Sequence, residues 1–461
     1  MPLRSTLTLR ERTYDQIANH LFNNGPNERA AYLYCNVAET EEELRLVAAS
    51  WEPVVDADVD YSSPTEMTID ARSYRLAMKR ADRDRHRLLF LHSHPSGPNR
   101  HSPRDDVEEN ALFRTGYIRI HNAGPHGSVV FAGPTQLSGR LWYADGSVAP
   151  ISLVRIIGSR FRFISANRIE EDLPAFYERQ VRAFGSDIQR LLRSLHIGIV
   201  GVGGTGSSVA EQLIRLGVGW LTIADGDRFD DSNVSRVYGS SASDDTIPKV
   251  AIASRNAERI GLGTRVEFLD RPIMHESVLR RFVSCDAVFC CVDKELPRSL
   301  LNDLSLYYII PVIDMGTEVD SHNGAIRSVA GRVSTLMPGY ACLFCRGVLT
   351  EDVVITEATE FASATEATRL RALGYARELS EPDPAVIMFT TAVAAQSIIE
   401  LLHRLTGFAG SDRVSNDVRF YFNDTRIRTT SRVPNAACFC ADTSLWGRGD
   451  REPFLDLTWP E

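Results

Sequence analysis

Apolar and polar positions divide the chain into two series of elements. In the first, the run "RLLFL" continues into "HSH" at residues 92–94 and is stopped by Pro95 and Gly97, which predicts a buried strand opening into a loop. Ahead of it, "IDARSYRLAMKRADRD" reads as a helix, and behind it the glycine-rich "NAGPHGSVVFAGPTQLSG" reads as a hairpin. In the second series, "LHIGIV" is a buried strand, "SSVAEQLIRLG" has helical spacing and "WLTIAD" is another buried strand. The longest apolar stretch, "AVIMFTTAVAAQSIIELL" at 385–402, holds Gln396 and Glu400 and predicts a buried helix, not a membrane span. No internal repeat or low-complexity run interrupts the pattern. The boundary between the series falls at about 165, giving an α/β chain with units 1–165 and 166–461.

Composition narrows the class. A chain of 461 residues is too long for one ordinary core, and 43% hydrophobic with 24% charged residues is the balance of a soluble globular protein. A formal charge of −9 argues against a general nucleic-acid or anionic-membrane binder. "MPLRSTLTLRERTYDQ" has no apolar signal-peptide core, and eight cysteines in a chain this size indicate a reducing compartment; a cytoplasmic protein is expected.

On a strand, residues i and i+2 share a face, so His92 and His94 can present both imidazoles to one point. The loop after this strand brings in Asp105, and two nitrogens with one carboxylate leave tetrahedral zinc a free position. The same "SPRDD" also suits a helix start, with Ser102 or Asp105 accepting backbone N–H groups. The spacing His92-x-His94, seven residues, Ser102, two residues, Asp105 resembles the H-x-H-x7-S-x-x-D pattern of JAMM (JAB/MPN-type) metalloproteases. "STLTLRERTYDQIANHLFN" is similar to that family's opening strand and helix. "GPNERAAYLYC" resembles its P-x-E-x-x-G-x-L segment, with Ala31 or a neighbour where the family has glycine. The resemblance implies zinc on His92, His94 and Asp105, Glu28 as the proton carrier, Ser102 steadying the oxyanion, and cleavage after the C-terminus of a ubiquitin-like protein.

In the second series, Gly201, Gly203 and Gly206, with Gly204 between them, form G-x-G-x-x-G between strand and helix, a phosphate-binding loop, and Asp225 is placed to accept from a ribose hydroxyl. Alone, this suits a nicotinamide or flavin enzyme equally. The downstream stretches "DGDRFDDSNVSR" and "IPKVAIASRNAERI" supply Asp227, Asn233, Arg236 and Lys249 in the order seen in ThiF/MoeB-type adenylating enzymes and ubiquitin-activating enzymes. "DAVFCCVDKELPRSLLND" is similar to their D-n-x-x-x-R-x-x-i-n segment at Asp293, Arg298 and Asn302, and "FYERQVRAFGSDIQRLLRS" to their R-Y-x-R-Q helix. The resemblance implies a Rossmann-like adenylation domain. Asp293 would hold Mg²⁺, Arg236 and Lys249 would steady the phosphates of ATP, Asn233 would help orient them, and Arg179 would reach the phosphates of a partner subunit in a homodimer. "GYACLFCRG" and "NAACFCAD" supply Cys342, Cys345, Cys438 and Cys440, a C-x-x-C and a C-x-C that resemble the family's structural zinc site; buried, unmetallated cysteines are the alternative. Between Cys345 and Cys438 there is no cysteine to accept an acyl group as a thioester, and Cys35, Cys285, Cys290 and Cys291 read as structural.

Together, the resemblances imply a two-domain enzyme of a bacterial ubiquitin-like or sulfur-carrier pathway. A zinc (iso)peptidase and a Mg·ATP-dependent adenylyltransferase would act on one C-terminal tail, ending in glycine and supplied in trans, with a downstream acceptor or conjugating protein taking the acyl group. Two other readings are open: adenylation of a peptide or small acid in metabolite or cofactor biosynthesis, and a half that has become a binding module.

Overall fold

The structure, a computed structural model, describes residues 3–23, 25–119, 124–166, 172–363, 365, 384–410, 413 and 415–459. The chain forms two compact units, one of residues 1–170 with 444–451, the other of 171–443 with 452–461. That residues 444–451 return to the first unit was not legible in the sequence.

The first unit is built on strands β1 (Arg4–Arg10), β2 (Ala30–Glu39), β3 (Glu43–Pro53), β6 (Arg87–Ser93), β7 (His126–Gly133), β8 (Gln136–Trp142), β9 (Val148–Ile157) and β10 (Phe161–Ser165), in the order β1-β3-β2-β6-β7-β8-β9-β10. A parallel β1–β9 pairing curls this sheet back on itself, and β4 (Val59–Ser63) with β5 (Glu66–Ile69) forms a separate pair. Alternation along β2 supplies two cores. Ala31, Leu33 and Cys35 pack with Tyr14, Ile17 and Leu21 of α1 (Glu11–Phe22), while Ala30, Tyr32 and Tyr34 pack with Tyr74, Ala77 and Met78 of α2 (Ala71–Arg83). The expected helix before the histidine strand is thus α2, with Asp70 as its N-cap accepting from the Arg72 N–H at 2.7 Å. From residues 444–451, the Asp450 N–H donates to the Val37 carbonyl at 2.7 Å, and the Arg10 guanidinium lies 4.9 Å from the Trp446 ring.

The second unit contains β11 (His196–Val200), β12 (Trp220–Ala224), β13 (Arg265–Leu269), β14 (Ala287–Cys290), β15 (Val312–His322), β16 (Ala325–Leu336), β17 (Asp417–Tyr421) and β18 (Arg426–Thr430). The order is β13-β12-β11-β14-β15-β16-β17-β18, parallel through β15 and antiparallel beyond. All five residues of β11 are buried, as expected of a strand covered on both faces. The order reverses between β12 and β14, so the crevice at the carboxyl ends of β11 and β14 is the topological switch point. The apolar stretch at 385–402 forms the helix Ile387–Thr406, which packs on the helix after β11 and on β15. No helix among the described residues is long and apolar enough to cross a membrane.

Candidate functional sites

In the first unit, β6 pairs with β2 on one side (Ala30 opposite His92) and β7 on the other (His92 opposite Val130), which puts both histidines at the end of an interior strand. Glu28 precedes β2 and is held by its own backbone: its N–H donates to the Ser63 carbonyl at 2.8 Å and its carbonyl accepts from the Ser62 hydroxyl at 2.7 Å. Asp105 arrives on α3 (Pro103–Arg119) through a reciprocal cap. The Asp105 N–H donates to Ser102 Oγ at 3.1 Å, and the Ser102 N–H donates to Asp105 Oδ2 at 2.6 Å, with Pro103 at the first helical position. The capping and ligand readings of "SPRDD" are therefore compatible, since the cap aims the carboxylate. Asp105 Oδ1 lies 3.4 Å from His92 Nε2, Oδ2 lies 3.5 Å from His94 Nε2, and the two Nε2 atoms are 3.2 Å apart. Tetrahedral zinc with ligands at about 2.0–2.1 Å has ligand–ligand edges of about 3.4 Å, so the triangle fits that ion.

Electrostatics support the same grouping. Burial raises the Glu28 carboxyl above its ordinary range, opposed by His92 and His94 and aided by Asp105, so its charge is coupled to the cluster. Burial works against the Asp105 carboxylate, yet the two imidazoles and the Ser102 N–H hold it far below the usual range. His101 was not singled out in the sequence. It lies beside the cluster with Nε2 2.9 Å from Ser128 Oγ, and burial, then Arg140, lower its pKa to about 3, so it is neutral near pH 7. Glu109 of α3 accepts from Arg140 Nε at 2.8 Å and Trp142 Nε1 at 2.9 Å, which ties the helix carrying Asp105 to β8.

The helices of the second unit that surround its cleft are α4 (Glu178–Phe184), α5 (Ser186–Ser194), α6 (Gly204–Leu216), α7 (Lys249–Ile260), the short α8 (Glu276–Leu279) and α9 (Glu295–Tyr308). The glycine loop leaves β11 and enters α6. Gly201 has φ +84°, and a Cβ on Gly206 would lie 1.8 Å from the Gly201 carbonyl oxygen, so the loop–helix approach needs glycine there. Asp225, just past the end of β12, accepts from the Val202 N–H at 2.7 Å and the Asp227 N–H at 2.8 Å, fastening this loop; burial nonetheless raises its pKa. Around the mouth, Asn233 is buried, with Oδ1 unpartnered among the described residues, and the Arg236 chain lies over Gly204. Lys249 opens α7 with Nζ 2.9 Å from Asp227 Oδ2. Asp293 lies beyond β14, and Arg298, in α9, donates to the Val292 carbonyl at 2.6 Å. Asn233, Arg236, Lys249, Asp293 and Arg298 line one cleft of about 1150 Å³, which Asp225 and Asp227 also border. Asn302 and Arg179 do not line it. Asn302 is buried and accepts from the Leu343 N–H at 3.4 Å, tethering the cysteine loop; Arg179 is exposed on α4.

Sequence reasoning missed the floor of this cleft. Asp314 of β15 is fully buried between Arg298 (Nε–Oδ1 3.4 Å) and Arg332 (Nη2–Oδ2 2.7 Å), and Asp417 of β17 between Arg346 (3.2 Å) and Arg419 (3.2 Å). Arg298 was read from the spacing of its own segment, but Asp314, Arg332, Arg346, Asp417 and Arg419 come from separate segments with no local spacing to betray them. Finally, Cys342 Sγ lies 3.6 Å from Cys438 Sγ and Cys345 Sγ 3.6 Å from Cys440 Sγ, and all four sulfurs lie within 4.8 Å of one another. Tetrahedral zinc–thiolate bonds of about 2.3 Å give edges of about 3.8 Å, so this group also fits the ion. Cys35, Cys285 and Cys290 are buried, whereas Cys291 borders the cleft with its thiol pushed far up by burial.

Residues 177–440 match the model of the ThiF family, and residues 10–134 that of prokaryotic homologs of the JAB domain. The chain is 29% identical to the SAMP-activating enzyme E1 of Haloferax volcanii over 163 residues, 35% of this chain and 57% of that protein. It is 28% identical to the sulfur carrier protein ThiS adenylyltransferase of Bacillus subtilis over 174 residues, 37% of this chain and 49% of that protein. The chain thus spans about half the length of these curated relatives. Among solved structures, E. coli MccB with ATP superposes with a TM-score of 0.44 at 14% identity, over 58% of this chain and 74% of that chain.

Proposed function

Because this chain belongs to the ThiF family and carries a JAB domain ahead of its ThiF domain, we propose that it adenylates the C-terminal carboxylate of a ubiquitin-like or sulfur-carrier protein and cleaves at the same tail. The observation that carries the adenylation half is the convergence of the glycine loop, Arg236, Lys249 and Asp293 on one cleft at the switch point. In-line attack of a carboxylate on the α-phosphate of ATP needs position and charge more than covalent chemistry. The N–H groups at the start of α6 bind phosphate, Arg236 and Lys249 offset charge as pyrophosphate leaves, and Asp293 would hold Mg²⁺. Asn233 helps orient the phosphates. Asp225, which fastens the glycine loop, and Asp227, which pairs with Lys249, both border the cleft, and Asp225 would accept from the ribose hydroxyl. Arg179, exposed and outside the cleft, would act on the phosphates of a second copy.

For the peptidase half, His92, His94 and Asp105 would hold zinc, which when bound supplies a Lewis acid and lowers the pKa of water to about 7. Glu28, its pKa raised by burial, takes the proton from water and passes it to the leaving amine. Ser102 Oγ accepts from the Asp105 N–H, so its own proton is free to donate to an oxyanion. The Cys342, Cys345, Cys438 and Cys440 group would hold a second, structural zinc. The test is pyrophosphate exchange with Mg·ATP and Gly-ending ubiquitin-like proteins encoded beside the gene, run beside a tail-cleavage assay. Asp293→Ala should abolish exchange and keep cleavage, and His92→Ala the reverse. Loss of both activities in either folded variant would contradict two separate sites.

A further inference from the structure

The register of the antiparallel strands sets three arginines in one row. Arg332 on β16 is directly opposite Arg419 on β17, which is directly opposite Arg428 on β18, and Gly316 on β15 is opposite Arg332. Directly paired residues share a face of the sheet, and like charges in that position destabilise it unless an anion offsets them. Asp314 and Asp417 are the buried carboxylates here, against the guanidiniums of Arg298, Arg332, Arg346 and Arg419. Arg428 is exposed on the edge strand, and no carboxylate pairs with it among the described residues. Of the two adjacent rows on the same face, Glu318, Ala330, Tyr421 and Arg426 carries one acid and one base, and Asp314, Ser334, Asp417 and Thr430 carries the two acids that pair with Arg332 and Arg419, so the uncompensated cation of the arginine row is Arg428.

The row also has a direction. Arg332 and Arg419 border the cleft, whereas Arg428 lies at the sheet edge. At its inner end a Cβ on Gly316 would lie 3.3 Å from Arg298 Nη2 and 3.8 Å from Arg332 Nη2, so the glycine leaves an opening between two guanidiniums. We infer that this row is the track for an acidic C-terminal tail, whose terminal carboxylate stops over Gly316 and whose upstream acidic side chain pairs with Arg428. This rests on the adenylation reading and specifies its substrate. Three strand spacings of about 4.8 Å span about 14 Å, or about four residues of extended chain at roughly 3.3 Å each, which places the acidic side chain about four residues before the end.

The test uses the full chain and two labelled synthetic peptides of about ten residues ending in a free Gly-Gly carboxylate, with Glu or Gln at the fifth position from the end, four residues before the terminal glycine. Fluorescence anisotropy at low salt should show the Glu peptide bound about fivefold more tightly, as for one solvent-exposed ion pair. The preference should vanish in Arg428→Gln, persist in Arg428→Lys and shrink as salt rises. Equal binding of the two peptides, no binding of either, or a preference that survives Arg428→Gln would overturn the inference. Titrating Mg·ATP into the wild-type chain separates the failures: ATP binding without the peptide preference refutes the track alone, and absent ATP binding refutes the adenylation reading beneath it.

Discussion

Two glycines of one loop should both lose ATP affinity on gaining a methyl group, but only one should lose stability. Gly203 has φ −67° and an extended conformation, and a Cβ there would meet no atom within 4 Å. Gly203→Ala should therefore change stability by less than about 0.5 kcal/mol. The methyl group would, however, stand where the loop must approach phosphate. Loss of one hydrogen bond to a charged group, about 1.5–3 kcal/mol, weakens Mg·ATP binding by about 10- to 150-fold. At Gly206 the Cβ would lie 1.8 Å from the Gly201 carbonyl oxygen and 3.1 Å from Cys291 Cβ. Backbone must move to relieve that overlap, at a cost of about 1–3 kcal/mol. Gly206→Ala should thus lose both thermal stability and ATP affinity. Calorimetric titration and thermal unfolding of the two variants decide the matter. If Gly203→Ala bound Mg·ATP like the wild type, the loop would not be the phosphate site; if Gly206→Ala were as stable as the wild type, the packing argument would fail.

The same geometry sets the outcome of other perturbations. Burial opposes ionisation of Glu43, but Arg155 (Nη1–Oε1 2.6 Å) and Arg45 (3.2 Å) outweigh it and hold its pKa down to about 2. A folded pKa below the unfolded value of about 4.3 means stability present above that pH and lost as pH falls toward 2, so Glu43→Gln should cost about 3–5 kcal/mol at pH 7 in denaturant unfolding, with the gap closing by about pH 2. Elemental analysis should find two zinc ions per chain, one in His92→Ala and one in Cys345→Ser; only the cysteine variant should unfold the second unit at markedly lower temperature, because structural zinc contributes directly to folding. Glu28→Gln should abolish tail cleavage while keeping the zinc at His92, His94 and Asp105, a result read by metal content alongside activity.

How far the sequence discloses this molecule depends on whether information is local. The glycine loop, the histidine pair and the Ser102–Asp105 cap lie within short stretches where spacing maps directly onto a strand end, a helix start or a turn. The four cysteines were readable because sulfur pairs at such spacing have few other uses, although Cys342 and Cys438 lie far apart in the chain. Three features escaped. The arginine–aspartate floor of the cleft depends on cross-strand register between β15, β16 and β17, which no single stretch encodes. Residues 444–451 join the first unit through contacts such as Asn36 Nδ2 to the Gly447 carbonyl at 2.9 Å, and nothing in their composition announces it. The hydrogen bonds by which Asp225, read in the sequence as the ribose partner, also fastens the glycine loop are set by the fold and not by any local spacing.

The central claim is that this chain transfers AMP from ATP to the end of a protein tail. Intact-mass analysis of a Gly-ending ubiquitin-like protein from the gene neighbourhood, mixed with the chain and Mg·ATP, tests it most directly. The account predicts an AMP adduct on the terminal carboxylate, absent with Asp293→Ala and absent when that carboxylate is replaced by an amide. An adduct on the amide-blocked protein, or ATP consumption with no adduct on any of these proteins, would contradict it.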